Sequence, residues 1–308
     1  MIPERTKSGP GQFLSRWGIS ILLSTVLVAV ILAVTRIIRY SRDSGSGIGS
    51  DNISGGVEQA DRRLEELRQI IENNPEDMEA FLESGLLKLK GGAAFYVDAI
   101  VDLERARELG SLDIKIFEHL GIMYQAVGLY EFAEKEYKRF LANNPDDFET
   151  RMSLAKLYYK SEKFKEAENE YEKIRQKRPN HLVVLENTAL TRWKNRRNWE
   201  EIVSAMRKEG QTGNLRADYI EGKINYEEKI FSGAIVYLEK VSQNAREDGF
   251  FDMREVYKML IDSYLKLKVN DLAVKNLQEL LKIDPADDEA RSQLVRLTAP
   301  KSRKTSKK

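Results

Sequence analysis

The stretch Phe117-Glu-His-Leu120-Gly121-Ile-Met-Tyr124, followed by Ala133, Tyr137 and Pro145, returns 34 residues later as Arg151-Met-Ser-Leu154-Ala155-Lys-Leu-Tyr158, then Ala167, Tyr171 and Pro179. A period in this range marks stacked supersecondary units, none of which buries its apolar face without a neighbour. Each unit carries two apolar stripes at helical spacing, separated by a short turn and closed by a proline that cannot continue a helix. The register predicts successive helix-turn-helix pairs.

Working outward, residues 254–287 supply a third good copy with Tyr257, Leu260, Tyr264, Ala273, Leu277, Leu280 and Pro285. Upstream, Phe81, Gly85, Tyr96, Ala99, Leu103 and Ala106 fit a unit at 78–113 if the turn at Gly91-Gly92 is two residues longer. Leu64, Leu67, Ile70 and Pro75 read as the second helix of a half-unit at 57–77, which would cap the array. Units at 182–214 and 215–253 are degenerate: Trp199, Ile202 and Met206 align only after a one-residue insertion, and Asp218, Glu221 and Asn225 stand at normally apolar places. Phe250-Phe251 lies in a longer connection and is expected to be buried against the next unit. A short helix at 288–298 would close the array, and 299–308 is expected to be a disordered basic tail.

The pattern Phe117-x-x-Leu120-Gly121-x-x-Tyr124, Ala133-x-x-x-Tyr137, Pro145 resembles the tetratricopeptide repeat, over most of residues 57–298. The resemblance implies an all-α fold, a right-handed α-solenoid whose inner groove is lined by first helices and commonly holds an extended or helical peptide. Transferred by alignment, groove positions are Glu118, His119, Ile122 and Gln125, then Met152, Ser153, Lys156 and Tyr159, then Glu186, Asn187, Leu190 and Trp193. Some members grip a terminal carboxylate with Lys and Asn from successive first helices. Here the matching places hold Glu118, Ile122, Ser153, Val183 and Asn187, so only Asn187 fits and that clamp is not expected.

Ahead of the repeats, the nineteen residues from Trp17 to Thr35 carry no charge and would extend roughly 28 Å as a helix. Trp17 and Tyr40 sit where amphipathic rings favour headgroups, and Arg16, Arg36 and Arg39 can extend into them. A cleaved signal peptide has a shorter apolar region and a small-residue cleavage site, whereas this one runs into Arg36. The expected organisation is a basic tail at 1–16, a transmembrane helix at 17–38 and a Gly/Ser-rich linker at 39–56 that reaches on the order of 20 Å. The repeats are expected to face outward, since a long carboxy-terminal domain crosses regardless of its charge; a cytoplasmic orientation is the alternative.

Net charge is +1, with +4 in residues 1–43 and +5 in residues 300–308, leaving 44–299 at −8. An acidic middle does not suit a nucleic-acid groove. The absence of cysteine excludes disulfides, thiolate catalysis and cysteine-ligated zinc. His119 and His181 are the only histidines and belong to no ligand-spaced cluster, and no phosphate loop or Ser-His-Asp set can be singled out. No cofactor, metal or catalytic residue is therefore expected.

The densest basic and aromatic run, Arg192-Trp193-Lys194-Asn195-Arg196-Arg197-Asn198-Trp199, reads either as a site for an acidic partner or phosphate headgroups, or as a turn with core tryptophans and solvated arginines. The functional expectation is a membrane-anchored adaptor or scaffold for a protein or peptide partner, with envelope-protein assembly as a role. A cytoplasm-facing regulatory or organelle-tethering protein, with Lys301 to Lys308 on anionic lipid, and an enzyme with an unrecognised site are the alternatives. Self-association is left open.

Overall fold

The computed structural model describes residues 54–245 and 251–299. The expected basic tail, transmembrane helix and most of the linker, and likewise the tail from 300, lie outside the described residues. Among those described, fourteen α-helices and one 3-10 turn account for the regular structure, with no strand. Contacts divide the described residues into two compact units that part between Ser153 and Leu154.

In the first unit, α1 (Ser54–Asn73) packs on α2 (Met78–Lys90), which pairs with α3 (Tyr96–Glu108); α4 (Lys115–Ala126) then pairs with α5 (Tyr130–Asn143). The helix α6 (Phe148–Lys160) follows. Helix α1 begins at Ser54, so the last three residues assigned to the linker are helical. Once a downstream turn exists, each added residue gains a hydrogen bond, and the helix propagates through Gly55-Gly56 despite their poor propensity. The lengthened turn at Gly91-Gly92 is real and contains the 3-10 turn Ala93–Phe95, entered at Gly92 with φ 88°.

The second unit continues with α7 (Phe164–Lys177), α8 (Leu182–Lys194), α9 (Glu200–Arg207), α10 (Gly210–Glu227), α11 (Phe231–Asn244), α12 (Met253–Lys266), α13 (Asn270–Ile283) and α14 (Asp288–Thr298). Degeneracy here takes the form of a short α9 and a long α10, which starts at Gly210 rather than near 215. Gly210 turns the chain with φ 76°, and Gly213 brings α10 so close that an added Cβ would lie 2.0 Å from the Met206 carbonyl oxygen. The three polar residues of α10 at normally apolar places are satisfied: the Arg207 guanidinium donates to Asp218 at 2.8 Å and to Glu221, and Asn225 Nδ2 donates to the Glu221 carbonyl at 2.7 Å. Phe251 packs on the cluster of Leu238, Val256 and Leu260, 5.7 Å from the Tyr219 ring, as expected; Phe250 lies outside the described residues.

Two local devices repeat. Between first and second helices, Gly128, Glu162, Arg196, Lys229 and Lys268 take the left-handed conformation, with φ from 56° to 82°. At each, the next N–H reaches back across the turn: Leu129 to the Tyr124 carbonyl, Lys163 to Tyr158, Arg197 to Arg192, Ile230 to Asn225 and Val269 to Tyr264, at 2.8–2.9 Å. These are Schellman closures, and four of the five forgo the glycine that such a position favours. Between hairpins, Asp77, Asp147 and Asp287, each two residues after a proline, cap the next helix by accepting from the N–H groups of Ala80, Thr150 and Ala290.

The cores are built where small residues let helices touch. An added Cβ would meet Leu103 Cδ2 at 2.6 Å from Gly85, Tyr137 Cε1 at 2.5 Å from Gly121, and Leu238 Cγ at 2.7 Å from Gly222. Ala155 and Ala189, both fully buried, hold the same hairpin position in their units. Carboxylates are buried at Asp102, Glu136 and Glu170, again 34 residues apart. Asp102 accepts from Ser84 Oγ and Lys88 Nζ, both at 2.6 Å; Glu136 accepts from Arg107 at 3.2 Å and Arg139 at 2.8 Å; Glu170 pairs with Lys173 at 2.7 Å. Each charge is compensated by hydrogen-bonded cations, the condition under which burial is tolerated.

Candidate partner-binding face

In the first unit, α4 carries Glu118, His119, Ile122 and Gln125. Ile122 is exposed, and the other three are half-buried. Desolvation lowers the His119 pKa from the ordinary imidazole value, outweighing Glu118 and Asp113, and its Nδ1 is buried without a protein partner. Gln125 accepts the Tyr137 hydroxyl at 3.1 Å, and Ser153 is half-buried near that phenol. Met152 is 4% exposed and belongs to the core, so it offers nothing to a ligand. Of the six predicted positions in this unit, Glu118, His119 and Ile122 are the ones left to contact a partner.

In the second unit, Lys156 is exposed, and Tyr159 is half-buried with its ring edge-on to Phe164 at 5.4 Å. On α8 the Glu186 carboxylate meets the Arg216 guanidinium at 2.7 Å. Desolvation raises the Glu186 pKa against the opposing pull of Arg216. Asn187 Nδ2 donates to the Val183 carbonyl at 2.7 Å, tying that amide to its own helix. Leu190 and Trp193 pack on the cluster of Leu185, Ile202, Met206 and Ile220, while Trp193 Nε1 donates to Glu228 at 2.8 Å. Lys156, Tyr159 and the outer edge of Trp193 are thus the predicted positions still presented; Glu186 and Asn187 serve the fold.

The register transfer stopped at α8 and missed the polar ladder on α10 and α12. Tyr219 OH donates to Glu255 at 2.7 Å, Lys223 Nζ reaches the same carboxylate at 2.6 Å, and Tyr226 OH donates to Asp262 at 3.1 Å. Desolvation, reinforced by the neighbouring carboxylate, pushes the pKa of both phenols up, so the hydroxyls stay protonated donors. A shallow cleft of about 390 Å³ lies here, lined by Tyr226, Glu227, Asp252, Arg254, Glu255 and Lys258 among others. The signal in the sequence was the pair Tyr219 and Tyr226, one heptad apart, matched 36 residues later by Glu255 and Asp262; an inserted spacing hid it from a 34-residue alignment. Among the described residues no group of His, Asp or Glu could hold a metal ion, and no helix is long and apolar enough to cross a membrane.

No protein-family model matches the chain, and no curated protein is similar to it in sequence. Solved structures are similar in fold. A tetratricopeptide repeat protein from Parabacteroides merdae matches with a TM-score of 0.58 at 15% identity, over 87% of this chain and all of its own. The C-terminal part of a TPR repeat-containing protein from Cytophaga hutchinsonii matches with a TM-score of 0.51 at 15% identity, over 77% of this chain and 95% of its own. With hairpins, turns and close-contact glycines in register, the fold is an all-helical repeat solenoid of the tetratricopeptide type.

Proposed function

We propose that the chain is a single-pass, membrane-anchored adaptor whose helical hairpins hold a protein or peptide partner beside the bilayer, a binding role without catalysis. The observation that carries this reading is the pairing, in one sequence, of an uncharged 19-residue segment from Trp17 to Thr35 with an array of hairpins. The second unit supports it by presenting the Lys156 cation, the half-buried Tyr159 ring and the shallow cleft lined by Tyr226, Arg254 and Lys258. Such scattered, mixed contacts suit an extended or helical peptide better than a small substrate, which needs an enclosed pocket with convergent polar groups.

Alkaline extraction of membranes should leave the full chain in the pellet, and an impermeant amine-reactive crosslinker on intact cells should join it to a protein partner. Recovery of the chain in the supernatant would remove the anchor; absence of any crosslinked protein both in intact cells and in opened membranes would remove the adaptor. A cytoplasm-facing orientation is the second reading, because Arg5, Lys7 and Arg16 before the segment balance Arg36, Arg39 and Arg42 after it. Protease added to intact cells distinguishes the two: an outward array is digested at once, a cytoplasmic one only after permeabilisation.

A further inference from the structure

The run from Arg192 to Arg197 places four cations in six residues, with no acid among them. One of the four is accounted for by the fold. Arg192 is 15% exposed and bonds Glu168, Glu172 and Glu201 at 2.9–3.4 Å. The other three, Lys194, Arg196 and Arg197, are exposed and stand around a cleft of about 440 Å³ whose further lining is Trp193, Trp199 and Glu228.

Turn geometry does not call for these cations. Arg196 holds the left-handed position of the turn, which the equivalent turns fill with Gly128, Glu162, Lys229 and Lys268, so any residue that tolerates φ near 60° would serve. Arg197 keeps one bond, to Glu168 at 3.0 Å, and leaves 67% of its side chain in solvent. Lys194 Nζ lies 4.1 Å from the centre of the Trp193 ring, which holds its charge over the indole. The tryptophans are anchored from behind: both pack on the cluster around Ile202, and the Trp193 N–H is fixed by Glu228. Two indoles held from behind, with the exposed cations Lys194 and Arg196 and the outer part of Arg197 beside them, form a surface complementary in charge to an apolar side chain flanked by carboxylates.

We propose that this cleft docks an acidic peptide segment of a partner protein, with an apolar or aromatic side chain set against Trp193 and Trp199 and its neighbouring carboxylates on Lys194, Arg196 and Arg197. This surface lies at the turn between α8 and α9 and goes beyond the positions on the first helices, sharing only Trp193 with them. Two neighbouring indoles set among the cations favour a peptide over a bilayer, because an apolar side chain between carboxylates meets indole and cation together.

The test is fluorescence anisotropy of labelled Glu-Glu-Phe-Glu-Glu and Lys-Lys-Phe-Lys-Lys peptides, titrated with the full chain in a neutral detergent. The acidic peptide should bind, the basic one should not, and binding should weaken as salt rises. Reversing Lys194→Glu and Arg196→Glu together should weaken binding about tenfold or more, as loss of charge complementarity does. Arg196→Gly is the second variant, since glycine suits the turn and leaves folding intact; it should weaken binding severalfold at unchanged helicity. Equal binding of both peptides, no binding of either, or an acidic peptide indifferent to R196G would overturn the proposal. So would anionic phosphatidylserine nanodiscs protecting the arginines from phenylglyoxal while the acidic peptide does not.

Discussion

Tyr137 and Tyr171 stand 34 residues apart at the same place in their hairpins, both at most 1% exposed, yet deleting their hydroxyls should shift stability in opposite directions. The Tyr137 hydroxyl donates to Gln125 Oε1 at 3.1 Å, so Tyr137→Phe removes a bond with a net contribution of about 1 kcal/mol. The Tyr171 hydroxyl is buried with no protein partner. By register Tyr159 stands where Gln125 does, and its ring lies edge-on to Phe164 rather than offering an acceptor amide. An unsatisfied buried hydroxyl costs about 1–3 kcal/mol, and the few lost dispersion contacts of one oxygen offset about 0.5 kcal/mol of that. Tyr171→Phe should therefore stabilise by about 1–2 kcal/mol, and the two variants should differ by about 2–3 kcal/mol.

Thermal unfolding of the full chain in detergent, followed by far-ultraviolet circular dichroism, reads this as shifts of a few degrees of opposite sign, since about 1 kcal/mol moves Tm by roughly 2–4 °C in chains of this size class. In a Tyr159→Gln background, which restores an acceptor, the gain from Tyr171→Phe should disappear. If Tyr171→Phe instead lowers Tm as much as Tyr137→Phe does, the Tyr171 hydroxyl is satisfied in solution and the accounting of this core is wrong.

Lys229→Gly should stabilise by about 0.5–1 kcal/mol in the same unfolding measurement, because it relieves left-handed strain that exceeds the entropy a glycine adds to the unfolded chain. Gly213→Ala should destabilise by about 3 kcal/mol or more, since the Cβ would meet a main-chain oxygen that cannot turn aside; a variant as stable as the parent would refute the close approach of α9 and α10. Burial depresses the His119 pKa, so the unfolded state binds more protons and stability falls as pH drops from 7 through the unfolded value near 6.5 and on toward the folded one. His119→Gln should flatten that part of a urea-midpoint profile, and an unchanged slope would assign it to other groups.

How far each layer could be read from the chain follows from the range of the forces involved. Period, turn positions and proline stops are local, set by residues within a few positions of one another, and Gly121, Ala133, Tyr137 and Pro145 carried them without any knowledge of neighbours. The repeat fold was legible for the same reason, since each hairpin needs only the next to complete its core. Legibility failed where packing compensates across distance. Asp218 and Glu221 stand at normally apolar places and are met by Arg207, Glu186 and Asn187 have the register of ligand contacts but serve Arg216 and their own helix, and Met152 turns inward. Whether a polar side chain is offered to a partner or consumed by the fold depends on which guanidinium or carbonyl arrives within about 3 Å of it. Sequence spacing alone determined the hairpins and their order; only tertiary packing decided which side chains remained available, because hydrogen-bond satisfaction is a property of neighbours in space.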